Sequence, residues 1–596
     1  MTSENRNQDV AVVGSPSTNT ELTLDLLQEA TEERLVGALT AFQAVQNGNP
    51  ITSVGQIVGI ELRNRWHEDS VFRNLVKRTG EIPPITNRQD TRIADLVVGA
   101  TFKQTANGFE PEVLGMVPAT GTRVSRIDQP LLDRLLQSYQ SEIFYLGQAY
   151  ANEILFPMWF KHFGSNDQGP GGAGEAYHIG VFGKTGSGKS GLAKMMLCAY
   201  ARHPSLGILV IDPQGEFTLE LSGSRVGNQG LPLDAIIREQ GRAINVYRIA
   251  DIQLDDWTTF EEMLVTLGFC EELTITHSSN TVRAAEVVRN ALERATQGGR
   301  QQFQISNLGS LDALRAALNA IIDPQNIQYI FPSRDPRTRL QNRVQDILAN
   351  RLNEVFNDKW VPLCNLFAAG PGRRRLYGIV ADLMGTANAT EARPVVVIDL
   401  SARGNQNRFW TEELERRLLG KLLNVLIVQS TSSLSTRQSA NVLVLLDEAH
   451  RHAPSGRLEQ DTEAERLRVL LRRAVRETRK YGLGWFFISQ TLGGLDSEIL
   501  QQLRILAFGF GLAMGSEFDR LREFVGGDKR SLELYQSFRD PQSFPARSLQ
   551  EFPFMAVGPV SPLAFSGKPL FLNAFTSPQD FMAANRLVTG ELPFSG

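Results

Sequence analysis

The run Gly183-Lys184-Thr185-Gly186-Ser187-Gly188-Lys189-Ser190 constrains this chain more than any other feature. It meets G-x-x-x-x-G-K-[ST] at every fixed position. An apolar run, His178–Phe182, precedes it, and a helix-forming stretch, Gly191–Ala201, follows. Glycines at these spacings let backbone N–H groups turn inward around an anion. The lysine reaches β- and γ-phosphate oxygens, and the last hydroxyl is a ligand for Mg²⁺. The helix that starts near Ser190 turns its positive N-terminus toward the same charge. The expectation is a loop that binds ATP and Mg²⁺ through Gly183, Lys184, Thr185, Gly186, Ser187, Gly188, Lys189 and Ser190, with Lys189 also catalytic and Ser190 also a metal ligand.

A second carboxylate-bearing strand tip completes this chemistry. Val442–Leu446 is an apolar run ending in Asp447-Glu448. Paired with the phosphate loop, Asp447 is expected to hold Mg²⁺ and Glu448 to act as general base on the attacking water. Ile208–Ile211 ends in Asp212-Pro213-Gln214-Gly215-Glu216-Phe217, and Trp485–Ser489 ends in Gln490. Ligands of open α/β sheets sit at strand C-termini, so Asp212, Glu216 and Gln490 point to the nucleotide crevice. Capping of a loop is the alternative role for either tip.

Around these motifs the chain alternates. Gly207–Ile211, Ile244–Ile249, Val395–Leu400, Val442–Leu446, Trp485–Ser489 and Ile505–Phe510 are short, nearly continuous apolar runs separated by helical stretches. That pattern predicts an α/β fold: a P-loop NTPase with a RecA-like parallel sheet covered by helices on both faces. The core is expected over 175–545, interrupted by a helical insertion at about 257–383. Residues 1–20 read as a disordered tail, and residues 21–165 as an N-terminal small β-barrel domain with flanking helices. Those helices are Leu22–Ala44 and Pro130–Ile154, from their leucine spacing. Gly-punctuated short runs between Ile51 and Ile127 suggest the barrel. Residues 166–174 read as a linker, and residues 546–596, rich in Pro and Phe, as an extended strap.

Composition narrows the function. A net charge of −4, with 11 Lys and 50 Arg, rules out a uniformly basic nucleic-acid binder, so any DNA contact must be local. Three dispersed cysteines form neither a disulfide framework nor a zinc motif. The polar N-terminus and the lack of a long apolar run predict a cytoplasmic protein without a membrane segment. Loops that could touch DNA phosphates are 402–410, carrying Arg403 and Arg408, and 451–457, carrying Arg451 and Arg457.

Together, HIGVFGKTGSGKS, VIDPQGEF, VVVIDLS at Val395–Ser401, LVLLDEAH at Leu443–His450 and RETRKYGLGWFFISQ at Arg476–Gln490 resemble the HerA/FtsK group of hexameric DNA-translocating ATPases, most closely the HerA helicases. The resemblance covers about residues 50–545. It implies a homohexamer with ATP at subunit interfaces and double-stranded DNA in the central channel. It gives Glu448 the catalytic role, sets Asp212 and Glu216 near the nucleotide, and makes Arg479 an arginine finger reaching a neighbour's ATP, with Arg476 as runner-up. Relatives work with NurA-type nucleases in DNA end processing, or with effectors such as sirtuin-type NADases in anti-phage defence. The alternative is an ATP-dependent hexameric scaffold that organises an effector without processive translocation. One departure stands out. Many relatives carry Arg-His before the P-loop strand, with the Arg beside the nucleotide, whereas this chain has Tyr177-His178.

Overall fold

The computed structural model describes residues 9–587 except 107, 166–170, 225–229, 387–391, 402–411, 436–437, 461, 547–548 and 565–566. Two sheets organise them. The first is an antiparallel barrel. It runs in the order Glu21–Leu26, Asp9–Val13, Arg123–Arg126, Leu39–Gln46, Asn49–Arg63, Thr91–Thr105, and closes by pairing of the last with the first. Closure leaves no free edge among these six strands. Leu22, Leu24, Ile57, Leu96 and Val124 fill the interior.

The expected helix over Leu22–Ala44 is therefore corrected to two barrel strands. Burial alternates along Glu21–Leu26, with Leu22 and Leu24 inside, which is the period of a strand. Residues 9–13, expected within the tail, form the adjacent strand. The expected helix over Pro130–Ile154 is real only as Gln129–Leu135. The rest becomes Ile143–Ala149, whose aromatic and β-branched residues suit a strand.

The second sheet carries eleven strands. Seven parallel strands form its core in the order Ile244–Arg248, Val395–Asp399, Gly207–Asp212, Val442–Leu446, Leu483–Ser489, Ile179–Phe182, Ile505–Phe508. Six of the seven are buried at every position, as a sheet covered on both faces requires. Four antiparallel strands extend it: Phe552–Val557, Leu570–Ala574, Ile143–Ala149 and Leu155–Trp159. The expected C-terminal strap thus contributes sheet strands and a helix, Pro578–Asn585.

The insertion between Ile244–Arg248 and Val395–Asp399 is helical as expected, with Trp257–Thr266, Ser278–Arg294, Leu311–Ile322, Arg334–Asp346 and Leu376–Met384 as its main helices. Its centre is Trp360, fully buried, whose indole N–H donates to the carbonyl of Leu308 at 2.8 Å. No helix among the described residues is long and apolar enough to cross a membrane.

Three buried histidines are kept neutral by desolvation. His178 and His203 are pushed down to about 4, and His452 to about 3. In His178, Nδ1 accepts from the Trp485 N–H, so Nε2 is the protonated nitrogen and donates to the Val475 carbonyl at 2.8 Å. Each group binds a proton more tightly unfolded than folded, so its stabilisation is present above about pH 6.5 and is lost as pH falls toward 4. We expect folding stability to fall over that window by about 1–3 kcal/mol per histidine, and the thermal midpoint to fall with it. A midpoint unchanged between pH 7 and pH 4.5 in scanning calorimetry would contradict this assignment.

Candidate functional site

Parallel register sets the site. Phe182 pairs with Ser489 on one side and Phe508 on the other, and Leu446 pairs with Ile211 and Phe487. The phosphate loop, Asp447-Glu448, Gln490 and the Asp212 turn therefore all leave the sheet at one edge, the C-terminal one.

The loop needs its glycines where they stand. A Cβ on Gly183 would lie 2.5 Å from Ser187 Oγ, and Gly186 and Gly188 both take positive φ, +83° and +84°. Gly188 directly precedes the helix Lys189–Ala201, whose first N–H groups face the loop. Lys189 is buried, and His450 nearby is held below the ordinary imidazole range first by its own burial, with Arg451 and Lys189 adding to the effect against Glu448. Ser187 Oγ is buried without a hydrogen-bond partner among the described residues, an open donor inside the loop.

Glu448 lies next to this loop. It is 6% exposed and sits in the left-handed region, φ 46° and ψ 45°. Such backbone is costly for a non-glycine residue and aims the side chain away from the strand path. Gln490 Nε2 donates to Glu448 Oε1 at 2.8 Å, and Gln490 Oε1 accepts from Thr185 Oγ1 at 3.0 Å. A continuous hydrogen-bonded path thus runs from the phosphate loop through Gln490 to Glu448. His450, not expected in this role, joins it, with Nδ1 3.4 Å from Glu448 Oε2 and 3.4 Å from Ser489 Oγ.

Two buried aspartates in the same region differ in kind. Asp212 accepts from the Gly215 N–H (2.8 Å), the Thr218 N–H (2.7 Å) and Thr218 Oγ1 (2.8 Å). It holds the turn into the helix Glu216–Leu221, so the loop-capping reading is the one the geometry favours for this residue. Asp447 is raised to about 7, first by burial and then by Glu448, Glu216 and Asp212, against one backbone hydrogen bond that lowers it. A buried carboxylate crowded by like charge fits a bound cation. Among the described residues no three His, Cys, Asp or Glu side chains make a metal cage. A magnesium ion of the kind that binds one or two protein oxygens plus phosphates needs none.

The predicted arginines are elsewhere. Arg479 precedes Leu483–Ser489, at the N-terminal edge of the sheet, and a seven-residue strand spans about 20 Å. Its own chain's phosphate loop is thus out of reach. Arg479 Nε lies 3.3 Å from Glu175 Oε2, Arg504 Nη1 lies 3.0 Å from Glu175 Oε1, and the Arg504 guanidinium stacks 5.1 Å over Tyr177. Position 177 is thus at the far edge from its own loop too. Arg479 is 49% exposed at the side chain. Arg476 lies on the same edge, 3.7 Å from Glu498. Arg451 and Arg457 are exposed in the segment after Glu448. Arg403 and Arg408 lie outside the described residues.

If Asp447 must shed a proton to bind a cation, Mg²⁺-dependent nucleotide affinity should fall about tenfold for each pH unit below about 7. Calorimetric titration with and without a chelator measures this. Asp447→Asn should remove the dependence, and a pH slope that survives in that variant points to another group.

Residues 176–406 match the family model described as "Helicase HerA, central domain". The match ends before Asp447, so Glu448 and Arg479 are placed by geometry rather than by it. Among solved structures, VirB4 of Thermoanaerobacter pseudethanolicus is 14% identical, covering 73% of this chain and 97% of its own, with a TM-score of 0.36. The bacterial conjugative coupling protein TrwBdeltaN70 is 13% identical over 67% of this chain and 84% of its own, at 0.34. The genome packaging NTPase B204 from Sulfolobus turreted icosahedral virus 2, in complex with AMPPCP, is 10% identical over 67% and 98%, at 0.27. Comparison with curated proteins gave no match. The segment 176–406, with the phosphate loop inside it, is thus similar to the central domain of the HerA helicase.

Proposed function

We propose that this protein hydrolyses ATP in a homohexameric ring and couples hydrolysis to movement along double-stranded DNA. The observation that carries the reading is the path Thr185–Gln490–Glu448, which holds a general base at the lip of the phosphate loop. Lys189 and the loop N–H groups stabilise charge on the β- and γ-phosphates. Ser190 and Asp447 would hold Mg²⁺, which offsets phosphate charge when bound. Glu448 takes the proton of the attacking water, and Gln490 keeps its carboxylate oriented while reporting on the loop through Thr185.

Arg479 acts across the subunit interface in this reading. Its exposure on the edge opposite its own site supports that role, because its own chain's phosphate loop is beyond its reach. A ring so built has one arginine per shared site and couples neighbouring subunits. DNA contact is assigned to arginines of loops at the C-terminal edge, Arg451 and Arg457 among them, through sequence-independent phosphate contacts. A nuclease or other effector enzyme as partner, in DNA end processing or phage defence, completes the proposal. An effector-organising ring without translocation is the alternative, and it requires hydrolysis indifferent to duplex DNA.

Glu448→Gln should retain ATP binding and assembly and lose hydrolysis by a factor of about 10² or more. Arg479→Ala should also be inactive, yet rings mixed from the two variants should recover hydrolysis at interfaces that pair an intact Glu448 with an intact Arg479. Phosphate release by mixed rings, with and without duplex DNA, is the measurement. No recovery on mixing would place Arg479 outside the reaction, and rates unchanged by DNA would favour the scaffold.

A further inference from the structure

A cavity of about 350 Å³ opens on the phosphate loop, shares Lys189 and Ser190 with it and extends to residues the hydrolysis reading leaves unassigned. Its floor is the start of the loop helix, Ser190 and Gly191, and its wall comes from the end of the core and the stretch after it: Pro541, Gln542, Gln550 and Phe552. The volume falls in the range of small-ligand sites. Gly191 has no atom within 4 Å of where a Cβ would be, so the floor is open. Phe552 lies over the loop, since a Cβ on Gly188 would come within 2.6 Å of its ring. Gln542 packs on Gly186 in the same way. Phe552 is anchored as the first residue of the strand Phe552–Val557, paired with Ala574.

We infer that Phe552, Gln542 and Gln550 form the base subsite of the nucleotide whose phosphates occupy Gly183–Ser190, and that they select adenine. This rests on the nucleotide reading above and adds to it the group recognised at the other end of the ligand. An aromatic ring offers a stacking face to any base. The two carboxamides provide the selection. A carboxamide matches the amino group and ring nitrogen on one edge of adenine, whereas the guanine edge is better met by a cation. Among the described residues, the only charged side chain lining the cavity is Lys189, which the phosphates claim.

The test uses the full-length protein and calorimetric titration with ATP, inosine triphosphate and inorganic tripolyphosphate, each with Mg²⁺. Inosine triphosphate lacks the amino group, and tripolyphosphate lacks the base. Phe552→Ala should weaken ATP about tenfold or more and leave tripolyphosphate unchanged, while Phe552→Tyr restores ATP. The double variant Gln542→Ala/Gln550→Ala should bring ATP affinity down to that of inosine triphosphate. If Phe552→Ala fails to fold, Phe552→Leu, which keeps the apolar strand start and removes the ring, takes its place. Equal losses for ATP and tripolyphosphate, or no loss for either, overturn the base subsite. A wild-type protein that binds neither overturns the nucleotide reading itself, so the two failures are distinct.

Discussion

The pairing of Ile179–Phe182 with Leu483–Ser489 and Ile505–Phe508 is the constraint on which the rest depends. Parallel strands in register deliver all their C-terminal tips to one edge, and burial on both faces forbids slippage, because a one-residue shift would turn every side chain to the opposite layer. Gly183 leaves its strand beside Gln490 for this reason alone: its N–H donates to the Ser489 carbonyl at 3.3 Å. Residues more than 250 positions apart in sequence become neighbours across two strands without any loop having to search for the other.

The same register sorts charge. Asp212 and Asp399 are buried at the C-terminal edge, yet backbone N–H groups meet them, three protein donors for Asp212 and the Ser401 N–H at 2.9 Å for Asp399. Asp447 is left with negative neighbours and held near 7. At the N-terminal edge the pattern is inverted. Arg242 donates to the carbonyls of Ala201, His203, Leu206 and Pro394, and Arg393 to those of Ala440 and Asn441. Burial pulls these guanidiniums down to about 9 and about 10, still far above neutrality, so both stay charged. Carbonyl oxygens therefore satisfy cations at one edge, and the uncompensated acid at the other edge invites a cation.

Legibility in the sequence follows from the range of the interaction that decides each feature. The phosphate loop was readable because its geometry is imposed by backbone chemistry within eight residues. The buried strands were readable because a two-faced sheet demands unbroken Val, Ile and Leu. Leu22–Ala44 was misread because leucines at helical spacing there serve two strands and the turn between them, and only closure of the barrel through the pairing of Glu21–Leu26 with Thr91–Thr105 decides the matter. The C-terminal strands were invisible for a similar reason, since Phe552–Val557 is recruited by Ile505–Phe508 over a long intervening chain. The resemblance implies a role for Arg479 but gives it no position. Its place at the far edge is a property of strand direction, which no local pattern encodes.

Those C-terminal strands also explain how the barrel and the P-loop core come to be one object. Gln56, inside the barrel wall, exchanges two hydrogen bonds with the backbone of Phe571, donating to its carbonyl and accepting from its N–H, both at 2.8 Å. Gly99 lies so close to the Leu563 carbonyl that a side chain there would collide. Arg530, on the helix Lys529–Gln536, pairs with Asp95 and Glu61 of the long barrel strands at 2.7 and 3.0 Å. The chain that makes these contacts also places Phe552 on Gly188 of the phosphate loop. Buried backbone pairing of the Gln56 kind is costly to break, because it strands donors and acceptors away from water. Any displacement of Phe552 on the loop therefore acts on a strand whose hydrogen-bonded partner, Leu570–Ala574, is fastened to the barrel. The covalent order of the chain, with barrel first and strap last, closes into a mechanical link between them.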